Sequence, residues 1–391
     1  MGFAKNDGML CAERGYGHCD KKVCRDCMGD RHLKDLIKNK GFMGNCDYCG
    51  NRRKVVELEE LLELIVSGIR FKYEKADDYI FKGEYSVDTC DRYDVVRDIA
   101  CEAEIDNQEL IDDIEKTLND DVWCERGSVY ETDHDRYLMD WHNFCELVKY
   151  KIRYVFYRSR KKNEAYDAVS PVEILDKVGL FVEELRLICQ KSESTRLFRG
   201  RTHGENEVLS EPKDFGPPPV EYAAANRMSP EGIPMFYAAF QVETALAEIE
   251  DSKSCATVAR FITSRPLTMV DLSKLKRMRL PSIFDEDGRE LRQTILFLKK
   301  FAEEISLKTV GKPAIDYVPT QIMTEYFRHV FRYNEDKPID GIIYSSAAKE
   351  GGHCAVLFMD DKDYADSEKC MVNKGLMYLK HYKKQYVQPV E

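Results

Sequence analysis

The sequence of 391 residues lacks an excess of positive charge, with 59 Lys and Arg against 70 Asp and Glu and a formal net charge of −11. This balance argues against broad nonspecific binding to DNA or RNA, which depends on cationic surfaces. No stretch approaches about 18 uninterrupted apolar residues, so we expect no membrane span. The first residues, Met1 to Asp7, lack the basic start and apolar run of a secretory leader, and we therefore expect a cytoplasmic protein.

Two common nucleotide-binding signatures are also missing. No Gly-x-Gly-x-x-Gly follows a candidate strand, which disfavours a Rossmann oxidoreductase. No Walker motif is present, which disfavours phosphate binding by a P-loop.

Cysteine, in contrast, is abundant: the chain has 14, of which six fall between Cys11 and Cys49. A cluster plus scattered thiols fits a reduced compartment with one metal site better than a disulfide framework. Two Cys-x-x-Cys knuckles, at Cys24 and Cys27 and at Cys46 and Cys49, are separated by 18 residues. This spacing lets four thiolates converge on one tetrahedral zinc, and a closed four-sulfur site indicates a structural rather than a catalytic metal.

Other residues near the knuckles leave alternatives open. The four cysteines could instead be two pairs of free or redox thiols, although the βαβ context of a thioredoxin-like motif is lacking. Cys11, His18, Cys19 and His32 could form a second metal site or replace a knuckle ligand.

Composition and periodicity predict a multidomain protein with segments 1–52, 53–190, 191–360 and 361–391. The first has too few bulky apolar residues to fold on a core alone, so a bound metal would stabilise it. In the second, apolar residues recur every three or four positions, which predicts an α-helical bundle. The predicted helices cover 55–65, 93–103, 108–118, 136–157 and 172–189.

The third segment changes character, because short β-type runs alternate with helical ones. This order favours an α+β domain over a doubly wound sheet. The charged tail after Asp360 is expected to be a peripheral helix or an extension. Predicted strands cover 197–201, 233–240, 257–263, 268–272, 341–344 and 354–359, and predicted helices cover 242–250, 290–305 and 319–331.

Four patches of the third segment occur in a characteristic order: 196–201, 226–237, 243–248, and 340–346 with Gly351 and Gly352 after it. Their residue types and order resemble the RES family, which is named for its arginine, glutamate and serine. The resemblance covers about 160 residues and includes the lead-in Pro217–Pro218–Pro219. It implies a fold related to ADP-ribosyltransferases and an enzyme that consumes NAD.

NAD chemistry suits the residue types of these patches. Guanidinium groups match the paired oxygens of a pyrophosphate. A carboxylate can stabilise the cation that develops on the ribose as the nicotinamide bond breaks. An aromatic ring can pack on the nicotinamide or the adenine, and a hydroxyl can fix its orientation.

The resemblance assigns roles to individual residues. Arg199 would anchor the dinucleotide and Glu248 would stabilise the ribosyl cation. Tyr237 would pack on the ring that Ser346 orients. Predicted catalytic residues are therefore Arg199, Tyr237, Glu248 and Ser346, and predicted substrate-binding residues are Arg201, Arg227, Tyr344 and Ser345.

Two alternatives remain open within this site. Ser345 and Ser346 are adjacent, so either can match the family serine. Glu243 lies five residues before Glu248, about 140° away around a helix, and is the competing acid.

The order of a cysteine-knuckle segment, helices and a RES domain is similar to the HEPN/RES amino-terminal modules of bacterial proteins. Active HEPN RNases use an Arg and a His a few residues apart on a helix, and Arg136 with His142 is the candidate pair. Tyr137 replaces the polar residue that commonly follows the arginine. This departure favours a scaffold, dimerisation or sensing module.

The resemblance thus implies a glycohydrolase or phosphorylase that cleaves the nicotinamide–ribose bond of NAD and acts as a bacterial toxin or defence effector. The expected partners are NAD, an Xre-like antitoxin and a second copy in a homodimer. A protein ADP-ribosyltransferase and a HEPN-type protein that cleaves or binds RNA are the alternatives.

Overall fold

The computed structural model describes residues 11, 13–76, 88–126, 136–158, 170–249, 255–306, 313–334, 336–359, 364–365 and 376–386. The chain forms two compact units. The first comprises Met1–Tyr137 and Arg279–Ile295, and the second comprises Leu138–Met278 and Leu296–Glu391. None of the helices in the described part is long and apolar enough to cross a membrane.

The first unit combines helices with two small antiparallel sheets. The larger sheet has the strand order β1-β3-β2, and β4 pairs with β5. The strands are β1 Lys22–Cys24, β2 Phe42–Asn45, β3 Arg52–Glu57, β4 Tyr73–Lys75 and β5 Trp123–Glu125. The helices are α1 Arg31–Lys40, α2 Leu58–Lys72, α3 Arg92–Glu102 and α4 Gln108–Thr117.

Side-chain caps fix where these helices begin. The carboxylate of Asp30 accepts a hydrogen bond from the Leu33 amide, and the amide oxygen of Asn107 accepts one from Leu110. Each cap satisfies an amide that has no partner within its helix. Asn107 is therefore the N-cap of α4.

One predicted helix of this unit begins later than expected. Val55 to Glu57, assigned to a helix over 55–65, belong to β3, which pairs with both β1 and β2. The β-branched pair Val55 and Val56 is buried there. The middle segment is therefore not purely a helical bundle.

The second unit is built on a mixed nine-stranded sheet with the order β13-β14-β9-β7-β8-β12-β11-β10-β6. Only β13–β14 and β10–β11 are parallel pairs among its described strands. Its strands are β6 Ile188–Lys191, β7 Arg196–His203, β8 Phe236–Ala239, β9 Cys255–Thr263, β10 Leu267–Asp271, β11 Gly341–Ser345, β12 His353–Leu357, β13 Tyr364–Ala365 and β14 Met377–Tyr386.

The remaining helices lie before and between the strands of this sheet along the chain, a mixed order that is typical of α+β domains. Ser170 and Glu173 form a capping box at the start of α6, and Pro171 occupies its first turn. The helices are α5 Arg136–Glu146, α6 Pro171–Glu184, α7 Pro212–Phe215, α8 Val242–Ala247, α9 Arg289–Ser306 and α10 Val318–Glu325.

Three predictions for this part of the chain were wrong. Of the two expectations for the tail, the peripheral helix is wrong, since β14 pairs with β9 along most of its length. The helix predicted over 172–189 ends at Glu184, and Ile188 already belongs to β6. The helix predicted over 136–157 ends at Glu146 and continues only as a π-turn at Leu147–Lys151.

Candidate active site

A cavity of about 370 Å³ borders the strands at the centre of the large sheet. β7 and β8 pair only at Phe198 and Ala239, whereas β7 continues to His203 in register with β9. Successive residues of a strand point to opposite faces, yet all four residues from Phe198 to Arg201 line the cavity. The loss of pairing beyond Phe198 explains how residues of both faces border one space.

Three arginines line this cavity. Arg199 is 9% exposed, its Nη1 has no hydrogen-bond partner among the described residues, and its guanidinium lies 4.9 Å from the Phe236 ring centre. Burial and the nearby charge of Arg201 lower the pKa of Arg199. With Arg201 and Arg227 opposed by Glu248, the lining carries a net charge of +2. Such a surface suits a pyrophosphate.

Glu248 is the carboxylate of the cavity and caps the end of α8. The Ser346 hydroxyl donates to Glu248 Oε1 at 2.5 Å, and Arg227 Nη2 lies 3.8 Å from Oε2. The Ser346 Oγ itself accepts from the amides of Ala348 and Lys349 at 3.2 and 3.0 Å. Because these amides occupy its acceptor side, the Ser346 proton is directed at Glu248.

The neighbouring alternatives lie elsewhere. Ser345 pairs with His353 in the β11–β12 ladder, and neither it nor Ser346 lines the cavity, but Ser346 reaches the cavity through its hydrogen bond to Glu248. Glu243 is exposed and does not line it either. The geometry therefore favours Ser346 and Glu248 over their competitors.

Two tyrosines complete the polar wall. The Tyr237 hydroxyl lies 3.0 Å from Ser229 Oγ and accepts from the Met228 amide at 3.3 Å. Tyr344 is 3% exposed and lies under the Arg227 guanidinium, 5.4 Å from its ring centre. Burial raises the pKa of both phenols, so both stay neutral near pH 7.

Sequence reasoning missed two features of this cavity. Cys354 lines it opposite Tyr344 in the β11–β12 pair, and burial followed by the charge of Glu248 raises the pKa of its thiol. Gly200 keeps space beside Ile249, because a Cβ at Gly200 would lie 2.4 Å from Ile249 Cδ1. A lone cysteine in a predicted strand carried no signal that could have singled it out.

A second cluster, of four cysteines, lies in the first unit. The Sγ atoms of Cys24, Cys27, Cys46 and Cys49 all lie within 4.8 Å of one another, and three of the pairs are 3.6 to 3.7 Å apart. A tetrahedron with metal–sulfur bonds of about 2.3 Å has sulfurs about 3.8 Å apart. The donor set and its dimensions therefore fit zinc.

The other metal-ligand candidates near the knuckles have different neighbours. His18 Nδ1 contacts the Glu59 carboxylate, and His32 Nδ1 lies 3.9 Å from Asp285. The Sγ of Cys11 accepts a hydrogen bond from Arg14. Within the described ranges, the four knuckle cysteines form the one cluster with metal-binding geometry.

Two family models match the chain: HEPN/RES N-terminal domain 1 over residues 39–162 and the RES domain over residues 196–375. The chain carries a RES domain. Both predicted resemblances are confirmed, and RES domains act on NAD. Searches of curated proteins and of solved structures gave no match.

The HEPN/RES range includes the candidate RNase pair. His142 is exposed on α5, and the side chain of Arg136 lies outside the described residues. RNA cleavage by this pair stays a prediction.

Replacing Arg199 separates function from stability in the RES domain. We expect the free energy of unfolding of an Arg199→Met variant to be about 1 kcal/mol higher than that of the wild type, because the substitution removes a buried cation with an unsatisfied N–H. It should also lose most of its affinity for NAD. Thermal unfolding and NAD titration measure the two effects, and a clearly lower melting temperature would show that the guanidinium is structural.

Proposed function

We propose that the chain cleaves the bond between nicotinamide and ribose in NAD. The observation that carries this proposal is the Glu248 carboxylate, oriented by the Ser346 hydroxyl at 2.5 Å and bordering a cavity that three arginines line. The arginines suit the pyrophosphate and the carboxylate suits a cationic ribose, so one cavity has groups for both ends of the reacting nucleotide.

In this reaction the C1–N bond breaks and its electron pair leaves with nicotinamide, which departs as a neutral molecule. Glu248 faces the positive charge left on the ribose, and the acceptor then adds to C1. Arg199, Arg201 and Arg227 hold the pyrophosphate, and Tyr237 packs on the ring. Ser346 acts by fixing the Glu248 carboxylate. Tyr344 forms the wall beneath Arg227, while a substrate contact by Ser345 stays a prediction.

Zinc would brace the first unit. Its ligands would be the four thiolates of Cys24, Cys27, Cys46 and Cys49, whose sulfur spacing supports the proposal. Asn51 Nδ2 donates to Cys49 Sγ at 3.4 Å, the kind of outer contact that orients a metal ligand. Since four sulfurs fill the tetrahedron, the metal would have a structural role.

A toxin or defence effector is the biological role that an NAD-acting RES domain favours. The same proposal includes an Xre-like antitoxin as partner, a homodimer and a cytoplasmic location. It also keeps the four segment boundaries and a relation to ADP-ribosyltransferase folds. A protein ADP-ribosyltransferase is the alternative, since it would use the same bond cleavage with a protein as acceptor.

Incubation of the purified protein with NAD tests the reaction. We expect nicotinamide release together with ADP-ribose when water is the acceptor, or a phosphorylated ADP-ribose when phosphate is. NAD labelled in its adenine distinguishes the alternative, because the label would then remain on protein. The absence of nicotinamide under all three conditions, from folded protein, would overturn the proposal.

A further inference from the structure

The second unit contains another, larger cavity of about 810 Å³. Its walls come from three helical regions: α5 with its π-turn, the later half of α9, and the start of α10 with the turn before it. Arg227 lines this cavity and also the candidate active site. One side chain therefore borders both cavities.

Arg227 is held at this boundary from several directions. Its Nη1 donates to the Ser306 and Ile305 carbonyls at the end of α9, at 2.9 and 3.3 Å, while its Nη2 faces Glu248. Its own carbonyl accepts from the Thr320 hydroxyl at 2.5 Å. The guanidinium thus has a fixed position between the catalytic carboxylate and the second cavity.

Charge distinguishes the two spaces. Four Lys and Arg side chains and four Asp and Glu side chains line the second cavity, so their charges cancel. The lining of the first cavity, in contrast, has a net charge of +2. A neutral group fits the second cavity better than a phosphate does. The largely buried rings of Trp141 and Tyr317 border the cavity with apolar surface. The Asp316 carboxylate, whose Oδ1 accepts from Lys149 Nζ at 3.1 Å, adds a hydrogen-bond acceptor of the kind that a nucleoside requires.

The volume of the first cavity also favours a second binding site for part of NAD. The first cavity lies near the lower end of the roughly 300–1,000 Å³ that small-molecule sites occupy, which suits one nucleotide rather than two. We propose that the second cavity receives the adenosine half of NAD, with the pyrophosphate beside Arg227. This inference rests on the proposed function.

Residues 39–162, which match HEPN/RES N-terminal domain 1, contribute to the wall of the second cavity. Leu138, His142 and Cys145 lie on α5, within the residues that match HEPN/RES N-terminal domain 1, and they line the cavity. That range then takes part in selecting the dinucleotide over smaller substrates.

A Leu296→Trp substitution tests the adenosine subsite by filling it. Leu296 is half-buried on the α9 wall, and Leu180→Trp on α6 is the matched control, since Leu180 is 63% exposed and does not line the cavity. We expect Leu296→Trp to raise KM for NAD about tenfold or more. Turnover of nicotinamide mononucleotide, which lacks the adenosine half, should change less than about twofold. The control should resemble the wild type with both substrates.

Titration with AMP provides a readout that does not depend on turnover. Weaker AMP binding to Leu296→Trp than to the wild type and Leu180→Trp supports the subsite even if no variant releases nicotinamide, an outcome that would overturn only the proposed reaction. An unchanged AMP affinity, or an equal loss of NAD and mononucleotide turnover in Leu296→Trp, overturns the inference.

Discussion

The Glu248→Gln variant is expected to release nicotinamide from NAD about 10²–10³ times more slowly than the wild type. Glutamine keeps the size of the side chain, and its amide oxygen can still accept from the Ser346 hydroxyl. The loss therefore isolates the negative charge that faces the developing ribosyl cation. Steady-state nicotinamide release at saturating NAD measures the effect as a change in kcat.

Two further variants separate charge from position. Glu243→Gln removes a carboxylate from the same short helix but outside the cavity, and should leave kcat within about twofold. Ser346→Ala should lower kcat less than Glu248→Gln does, because the charge remains while its orienting hydrogen bond is lost. Equal activity of Glu248→Gln and the wild type would remove Glu248 from the mechanism.

Helices with strong local signals were the parts of the fold that the sequence predicted well. The expected helices over 93–103, 108–118 and 290–305 correspond to Arg92–Glu102, Gln108–Thr117 and Arg289–Ser306 within a residue or so. Apolar periodicity and capping side chains act within a few residues, so they can be read along the chain.

Strands whose partners are distant were missed. β14 forms because it extends the sheet beside β9, more than 110 residues earlier, and its many lysines and tyrosines looked like a solvent-exposed tail. β6 likewise pairs with β10, whose residues lie 76 to 82 positions later in the chain. In both cases the pairing partner, which local sequence does not show, decides the conformation.

The candidate site was predictable as a set of residues but not as a shape. Motif order named Arg199, Tyr237, Glu248 and Ser346, and the structure brings the first three to one cavity with Ser346 bonded to Glu248. The end of pairing between β7 and β8 and the inclusion of Cys354 had no sequence signal. Both depend on how separate strands meet.

Removal of the metal from the cysteine cluster is expected to unfold the first unit. Cys24 and Cys46 are almost fully buried and belong to the same core as Val23, Leu33 and Ile37. Structural zinc contributes on the order of 10 kcal/mol in small zinc-binding units, more than the whole stability of many domains. Without the zinc ion, nothing would bind the four thiols and hold the two knuckles together.

A Cys46→Ser variant tests this without a chelator. The wild type should contain one zinc per chain, whereas Cys46→Ser should lose zinc and the cooperative melting of the first unit by circular dichroism. Cys101→Ser is the matched control, since Cys101 is an exposed cysteine of the same unit outside the cluster. Because a serine hydroxyl is a far weaker zinc ligand than a thiolate, full metal content and unchanged melting in Cys46→Ser would mean that the four sulfurs meet for packing rather than for a metal.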